Sequence, residues 1–180
     1  MLKDELNIIE GCVSGDRNCQ YKLYKHLSPK LLPIGIRYLK SKAEAEDCLQ
    51  EVFIKIFNNL KNFNKNASVL SWATRIMINS ALTRIRLNAR NQNLTDISYA
   101  EYVFQPSESG EEYNELLSLM FKLPTHYRIV FNMYVIEGYA HKEIAESMGF
   151  NESTSRTYLL RAREMLRELH QKQNFVYNEK

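Results

Sequence analysis

Two stretches of this chain group side chains suited to nucleic acid, by different chemistries. The first, FNKNASVLSWATRI from Phe63 to Ile76, mixes aromatic rings, short amides and cations. Unstacked bases need flat faces to stack on, amides for their edges and cations for their phosphates. Trp72 is the only tryptophan and falls one turn into an expected helix beside a polar loop, with Asn79 two turns further on. Its ring suits a stacking platform or a core plug, and taken alone the residue reads better as a plug. Lys61, Lys65, Arg75, Arg84, Arg86 and Arg90 make the loop and helix basic.

The second stretch, Glu137 to Leu169, reads as helix, tight turn, helix. Ile144, Ala145 and Met148 give the first helix an apolar face at helical spacing. Gly149 stands where a helix end favours positive φ, and Phe150 can plug the corner. Asn151 or Ser153 can cap the second helix, with Glu152 favoured at its positive end. Leu159, Ala162, Leu166 and Leu169 form that helix's apolar stripe, and Arg156, Arg161, Arg163 and Arg167 lie off it. This is a helix-turn-helix pattern, whose second helix presents its N-terminal residues to the major groove. Ser153, Thr154 and Ser155 are small enough for close approach and can donate to phosphates.

These stretches need elements to hold them. The chain has 180 residues, net charge +3 and 44% hydrophobic residues, enough for one ordinary domain or two small ones. Glycine and proline are few and amphipathic runs are long, so the expected fold is all-α: two small helical domains joined by a flexible linker. Residues 1–90 carry +7, residues 91–115 carry −6 and residues 116–180 carry +2. The expected layout is a domain over 1–90, an acidic linker over 91–112 and a helix-turn-helix domain over 113–175.

Within the first domain, helices are expected at about Lys3–Ser14 and Asn18–Leu39, the latter with a weak point at Ser28-Pro29 and Pro33. Ser41-Lys42-Ala43-Glu44 is a capping box that opens a third helix through about Leu60. Cys48, Leu49, Val52, Phe53, Ile56, Phe57 and Leu60 form its apolar stripe, flanked by Asp47, Gln50, Glu51, Ile54 and Asn58. Ser68 can cap a fourth helix to about Asn88 with Ala73, Ile76, Met77, Ser80, Ala81 and Ile85 inside. Cys12, Cys19 and Cys48 lack metal-type spacing and are expected as free thiols, a zinc site with His26 being the minor alternative. No nucleophile–base set, phosphate loop or HExxH motif is present, which argues against an active site. No apolar run is long enough to span a bilayer, and the N-terminus lacks a signal-peptide plan, so a cytosolic location is expected.

Two basic helical domains on an acidic linker, the second a helix-turn-helix, resemble a bacterial RNA polymerase sigma factor of the sigma-70 superfamily, extracytoplasmic-function class. AEAEDCLQEVFIKIFNNL is similar to that family's core-binding helix at Asp47, Gln50, Glu51, Val52 and Phe53. WATRIMINSALTRIR is similar to its promoter-melting helix at Trp72, Arg75, Ile76, Asn79, Ala81 and Arg86. The segment from Lys122 to Leu166 resembles the second domain, including Leu123-Pro124, Arg128, Glu137-Gly138, Glu143-Ile144-Ala145, Gly149, Thr154 and Arg161-Ala162-Arg163.

The resemblance implies an initiation factor without cofactor, metal or enzymatic activity. Asp47, Gln50, Glu51 and Ile54 would dock on the polymerase β′ clamp helices, and the β flap would be a further partner. Asn62, Asn64, Lys65, Asn66, Trp72, Arg75, Asn79, Arg84 and Arg86 would hold the melted −10 strand. Ser153, Thr154, Ser155, Arg156 and Tyr158 would face the −35 groove, with Arg161 and Arg163 on the backbone. An anti-sigma factor, often membrane-anchored, is also implied. Three positions depart from the family: Thr83 where aspartate is frequent, Ser155 where valine is common and Tyr158 where a basic residue is frequent. The competing reading is a stand-alone helix-turn-helix regulator that binds paired half-sites as a dimer; it leaves the stripe from Asp47 to Ile54 unexplained.

Overall fold

In the computed structural model the chain is described over residues 3–64, 67–91 and 111–178. All regular structure among these residues is helical, in two compact units over 1–100 and 101–180. The expected linker lies almost wholly outside the described residues, as do Lys65 and Asn66 of the −10 set.

The first unit packs α1 (Lys3–Val13), α2 (Arg17–Leu39), α3 (Lys42–Asn59) and α4 (Val69–Asn91), with α2, α3 and α4 in mutual contact and α1 against α2. Asp16 caps α2 by accepting from the backbone N–H groups of Asn18 at 2.7 Å and Cys19 at 3.4 Å. Ser41 caps α3 through the Glu44 N–H at 3.2 Å, as its capping-box spacing predicts. Ser68 accepts from the Ser71 N–H at 3.4 Å at the start of α4. A single 3₁₀ turn, Leu60–Asn62, follows α3 and begins the loop to α4.

α2 runs unbroken through Pro29 and Pro33. Each proline removes a helical hydrogen bond and disfavours an interior helix by about 3 kcal/mol. Burial of Leu23, Leu27, Leu31, Ile34 and Tyr38 along one face against α3 and α4 offsets that local cost. Gly35 marks a close crossing: a Cβ there would meet Met77 Cε at 2.3 Å and Ala45 Cβ at 3.2 Å. The same packing buries Cys48, while Cys12 is buried in the last turn of α1, where burial raises its thiol to about 11. Among the described residues no three His, Cys, Asp or Glu side chains come together as a metal site, and no helix is long and apolar enough to cross a membrane.

The second unit holds α5 (Glu111–Phe121), α6 (Thr125–Phe131), α7 (His141–Met148) and α8 (Glu152–Asn178). A π turn, Asn132–Ile136, follows α6 and was not legible in the hydrophobic pattern. α6, α7 and α5 all pack on α8. Gly149 ends α7 with φ of 73°, left-handed backbone that glycine adopts without a Cβ clash.

Candidate nucleic-acid interface

Helical period separates two faces of α3. Cys48, Leu49, Val52, Phe53 and Ile56 are buried, and Asp47, Gln50, Ile54 and Asn58 come out opposite them, with Glu51 at the edge, all exposed. Ile54 keeps 61% of its surface accessible despite being aliphatic. A lone exposed isoleucine is ordinary, but here it sits in the middle of an acidic and amide stripe.

Between α3 and α4 opens a cleft of about 400 Å³, lined by Lys55, Asn59, Asn62, Trp72, Ile76, Asn79, Ser80 and Thr83. Trp72, Ile76, Asn79 and Thr83 share one face of α4 at i, i+4, i+7 and i+11. Trp72 is half-buried, with its ring 5.2 Å from that of Phe63, so it is both a plug and a wall of the cleft. Lys55 donates to Ser80 Oγ at 2.9 Å. Asn59 donates to the Lys55 carbonyl at 2.8 Å, and Thr83 to the Asn79 carbonyl at 2.8 Å. Lys55, Asn59 and Thr83 were missed as lining residues. Only the pairing of α3 with α4 brings them there, though their polarity near the end of an amphipathic helix was visible.

Asn62, Asn64, Arg75, Asn79 and Arg86 are exposed. Arg75 and Arg86 fall on the same outer flank of α4 as Asn79. Arg84 corrects its grouping with them. It lies on the inner line with Ala73, Met77 and Ser80, and its guanidinium crosses to α3. There it donates to Glu51 Oε1 at 2.6 Å and to the Glu44 carbonyl at 3.2 Å. Its side chain keeps 23% exposure against 53% for Glu51. Arg84 is thus held by α3 and is not presented as a free cation beside the cleft.

On α8, buried Ser155, Leu159 and Ala162 define the inner line, so Ser153, Thr157 and Leu160 project outermost. Arg156 and Arg163 share one flank, and Thr154 and Arg161 the other. Asn151 is the cap: its Oδ1 accepts from the Thr154 N–H at 2.9 Å and from the hydroxyls of Ser153 and Thr154, each at 2.7 Å. Those hydroxyls are therefore engaged within the cap. Arg156 pairs with Glu152 at 2.5 Å, and Arg161 donates to the Tyr127 hydroxyl at 3.2 Å.

Two residues expected on the groove face are placed otherwise. Ser155 is fully buried, with its Oγ 2.9 Å from His141 Nδ1. Tyr158 sits among rings, 5.3 Å from Tyr127, 5.5 Å from Phe150 and 5.9 Å from His126. Helical rotation turns both toward the core side of α8. Thr157 and Leu160, exposed on the outer face, were not singled out; counting from Ser153 at i+4 and i+7 would have found them.

These two arrangements match known proteins. Residues 23–91 match the model of Sigma-70 region 2, and residues 113–166 that of Sigma-70 region 4. The chain is 29% identical over 176 residues to the ECF RNA polymerase sigma factor SigW of Bacillus subtilis, covering 89% of this chain and 93% of the relative. It is 25% identical to the RNA polymerase sigma-H factor of Pseudomonas aeruginosa, covering 91% and 92%. The sigma factor RpoE solved with the anti-sigma factor NepR from Bartonella quintana shares the fold, with a TM-score of 0.60 at 20% identity over 84% of this chain and 96% of that one. CnrH, solved with the cytosolic domain of CnrY, aligns with a TM-score of 0.53 at 20% identity over 92% of this chain and 96% of that one. The two matched regions and these sequence relatives define a promoter-directing transcription initiation factor. The chain belongs to the sigma-70 family, in its extracytoplasmic-function class.

Proposed function

We propose that the two units divide promoter recognition between single-stranded and duplex DNA. The unit over 1–90 acts as sigma domain 2. Its α3 stripe of Asp47, Gln50, Glu51 and Ile54 docks on the β′ clamp helices of core RNA polymerase, since acidic and amide groups around an exposed isoleucine suit a basic amphipathic helix. The cleft beside Trp72 receives an unstacked base of the −10 strand. Asn62 and Asn79 supply edge hydrogen bonds, and Arg75 and Arg86 hold flanking phosphates. Stacking on a ring contributes about 1–3 kcal/mol per base, comparable to what melting a pair costs. No bond to the nucleotide is made or broken, so no catalytic residue is needed.

The unit over 113–175 acts as sigma domain 4 and reads the −35 element in the major groove. Arg156 and Thr157 stand nearest the bases, and Arg161 and Arg163 flank the helix toward the phosphates. The polymerase β flap is its protein partner. The acidic segment over 91–112 suits the positive channels through which nucleic acid passes in polymerase. Because one solved neighbour is a complex with an anti-sigma factor and another a complex with the cytosolic domain of its partner, a membrane-anchored antagonist is the expected regulator. The protein works in the cytoplasm, where polymerase and chromosome are.

The observation that carries this reading is the pairing, on one four-helix unit, of a polar docking stripe with a cleft walled by Trp72. The test is binding of the purified chain to bacterial core RNA polymerase, followed by run-off transcription on genomic fragments. Tight binding with discrete new start sites is expected, and the mapped starts supply the promoter motif. Absence of polymerase binding, with dimeric binding to duplex DNA, would hand the protein to the stand-alone regulators.

A further inference from the structure

His141 is the first residue of α7, is buried at 8% exposure and touches two other elements. Its ring stacks on that of Tyr134 in the π turn, with centroids 4.3 Å apart and planes 20° apart. Its Nδ1 lies 2.9 Å from Ser155 Oγ in α8, and Ser155 has no exposed surface. Ser155 is followed at once by Arg156 and Thr157, which come out on the DNA-reading side.

Apolar contacts alone set the distance between two helices more firmly than their rotation, because hydrophobic burial has no direction. A hydrogen bond does have direction, and it weakens steeply outside a range of about 0.5 Å. Rotation of α8 by about 20° would carry a guanidinium held about 7 Å from its axis through about 2.5 Å. That displacement exceeds the tolerance of any hydrogen bond to a base edge. A buried polar tie one residue before Arg156 therefore fixes the quantity on which base reading depends.

We propose that His141 and Ser155 are positioning residues for promoter selection, whose hydrogen bond sets the rotation of α8 and so which base edges Arg156 and Thr157 reach. The proposal rests on the reading of α8 as the −35 helix. Neither residue contacts DNA in this assignment. Both act through the side chains that follow Ser155.

The test uses the full chain bound to core polymerase, with two duplexes that differ only in the −35 element: the sequence mapped from its start sites and a scrambled one. The readout is the ratio of the two affinities. The His141→Phe/Ser155→Val double variant keeps a ring against Tyr134 and replaces the polar tie by an apolar contact. It is expected to bind polymerase like the parent, yet to lose about tenfold of the affinity ratio, with the scrambled duplex hardly affected. Ser155→Ala, which removes only the hydroxyl, is expected to move the ratio in the same direction. His141→Asn places an amide where Nδ1 stood and should recover most of the preference although it loses the ring stack, an order that a purely structural role would reverse. A parental ratio in the double variant and in Ser155→Ala would overturn the proposal. If the parent itself discriminates neither duplex, the assignment of α8 fails instead, and that outcome is read on the parent alone.

Discussion

The cleft between α3 and α4 and the outer face of α8, the two surfaces proposed for DNA, are built in opposite ways. The cleft is concave, and its groups come from two helices whose relative placement is set by a dense aliphatic core, with Gly35 letting α2 against Met77 and Ala45. The α8 face is convex and comes from one helix, whose start is defined by the Asn151 cap and whose rotation is held by a buried polar pair. The concave site is therefore insensitive to any single polar bond and sensitive to its walls. The convex one should respond strongly to small polar changes at its root.

The largest expected effect breaks a wall. Trp72→Ala removes the ring that closes the cleft, and affinity of the polymerase-bound protein for a −10 non-template single strand should fall by about 1–3 kcal/mol, while −35 duplex affinity is unchanged. Fluorescence anisotropy with the two DNAs separates these. Equal losses on both would mean that the first unit has misfolded.

Next comes the convex face itself. Arg156→Ala should lower −35 affinity by about 1–2 kcal/mol and leave polymerase binding intact, measured on promoter variants by filter binding. Unchanged selectivity in that variant would move the reading surface to Thr157 and Leu160.

The cap follows. Asn151→Ala strips the acceptor shared by the Thr154 N–H and two hydroxyls and should destabilise the second unit by about 1 kcal/mol, read from its melting transition. A matching loss in the first unit would contradict the division of the chain into two compact bodies.

The smallest effect concerns pH. Burial, and then the nearby charges of Arg156 and Arg163 against the opposing pull of Glu152, hold His141 below its ordinary 6.5. Its folded form thus resists protonation that the unfolded chain accepts. Stability of the second unit should be level above about 6.5 and should fall as pH drops through that value toward the lower folded pKa. Melting curves between pH 7.5 and 5.5 test this, and the slope should vanish in His141→Asn.

Much of this was legible in the sequence, and what was not has common causes. Ser41, Gly149 and the apolar stripes of α3 and α8 act through neighbours within one or two turns, so spacing alone located them. Asn151 and Ser153 competed for one cap by sequence, and only the geometry of the turn selects Asn151. α2 continues through Pro29 and Pro33 because the packing of α3 and α4 against it, which no pattern within α2 shows, supplies the burial that offsets two missing hydrogen bonds. Ser155 read as a groove residue because serine is small and polar. Its place on the line of Leu159 and Ala162 was countable at i, i+4 and i+7, and only its partner His141, fourteen residues earlier, is joined to it by no local pattern. Arg84 is a miss of the same kind. Its place on the line of Ala73, Met77 and Ser80 was countable from the sequence, and its charge drew it to the wrong group.

Arg84 also ties together two surfaces that the functional reading assigns to different partners. In that reading Glu51 belongs to the docking stripe and Arg84 stands on the helix that walls the cleft; in this protein they face each other at 2.6 Å. A carboxylate engaged by a partner's cation has less to offer Arg84, and a guanidinium drawn to a phosphate has less to offer Glu51. The pair is partly exposed, so its own strength is at most about 1 kcal/mol, and the linkage it can transmit is no more than a few-fold. Linkage has no preferred direction, however. On that reading, whatever polymerase gains by loosening this contact for the strand, the strand would return in equal measure to polymerase, so each encounter would favour the other.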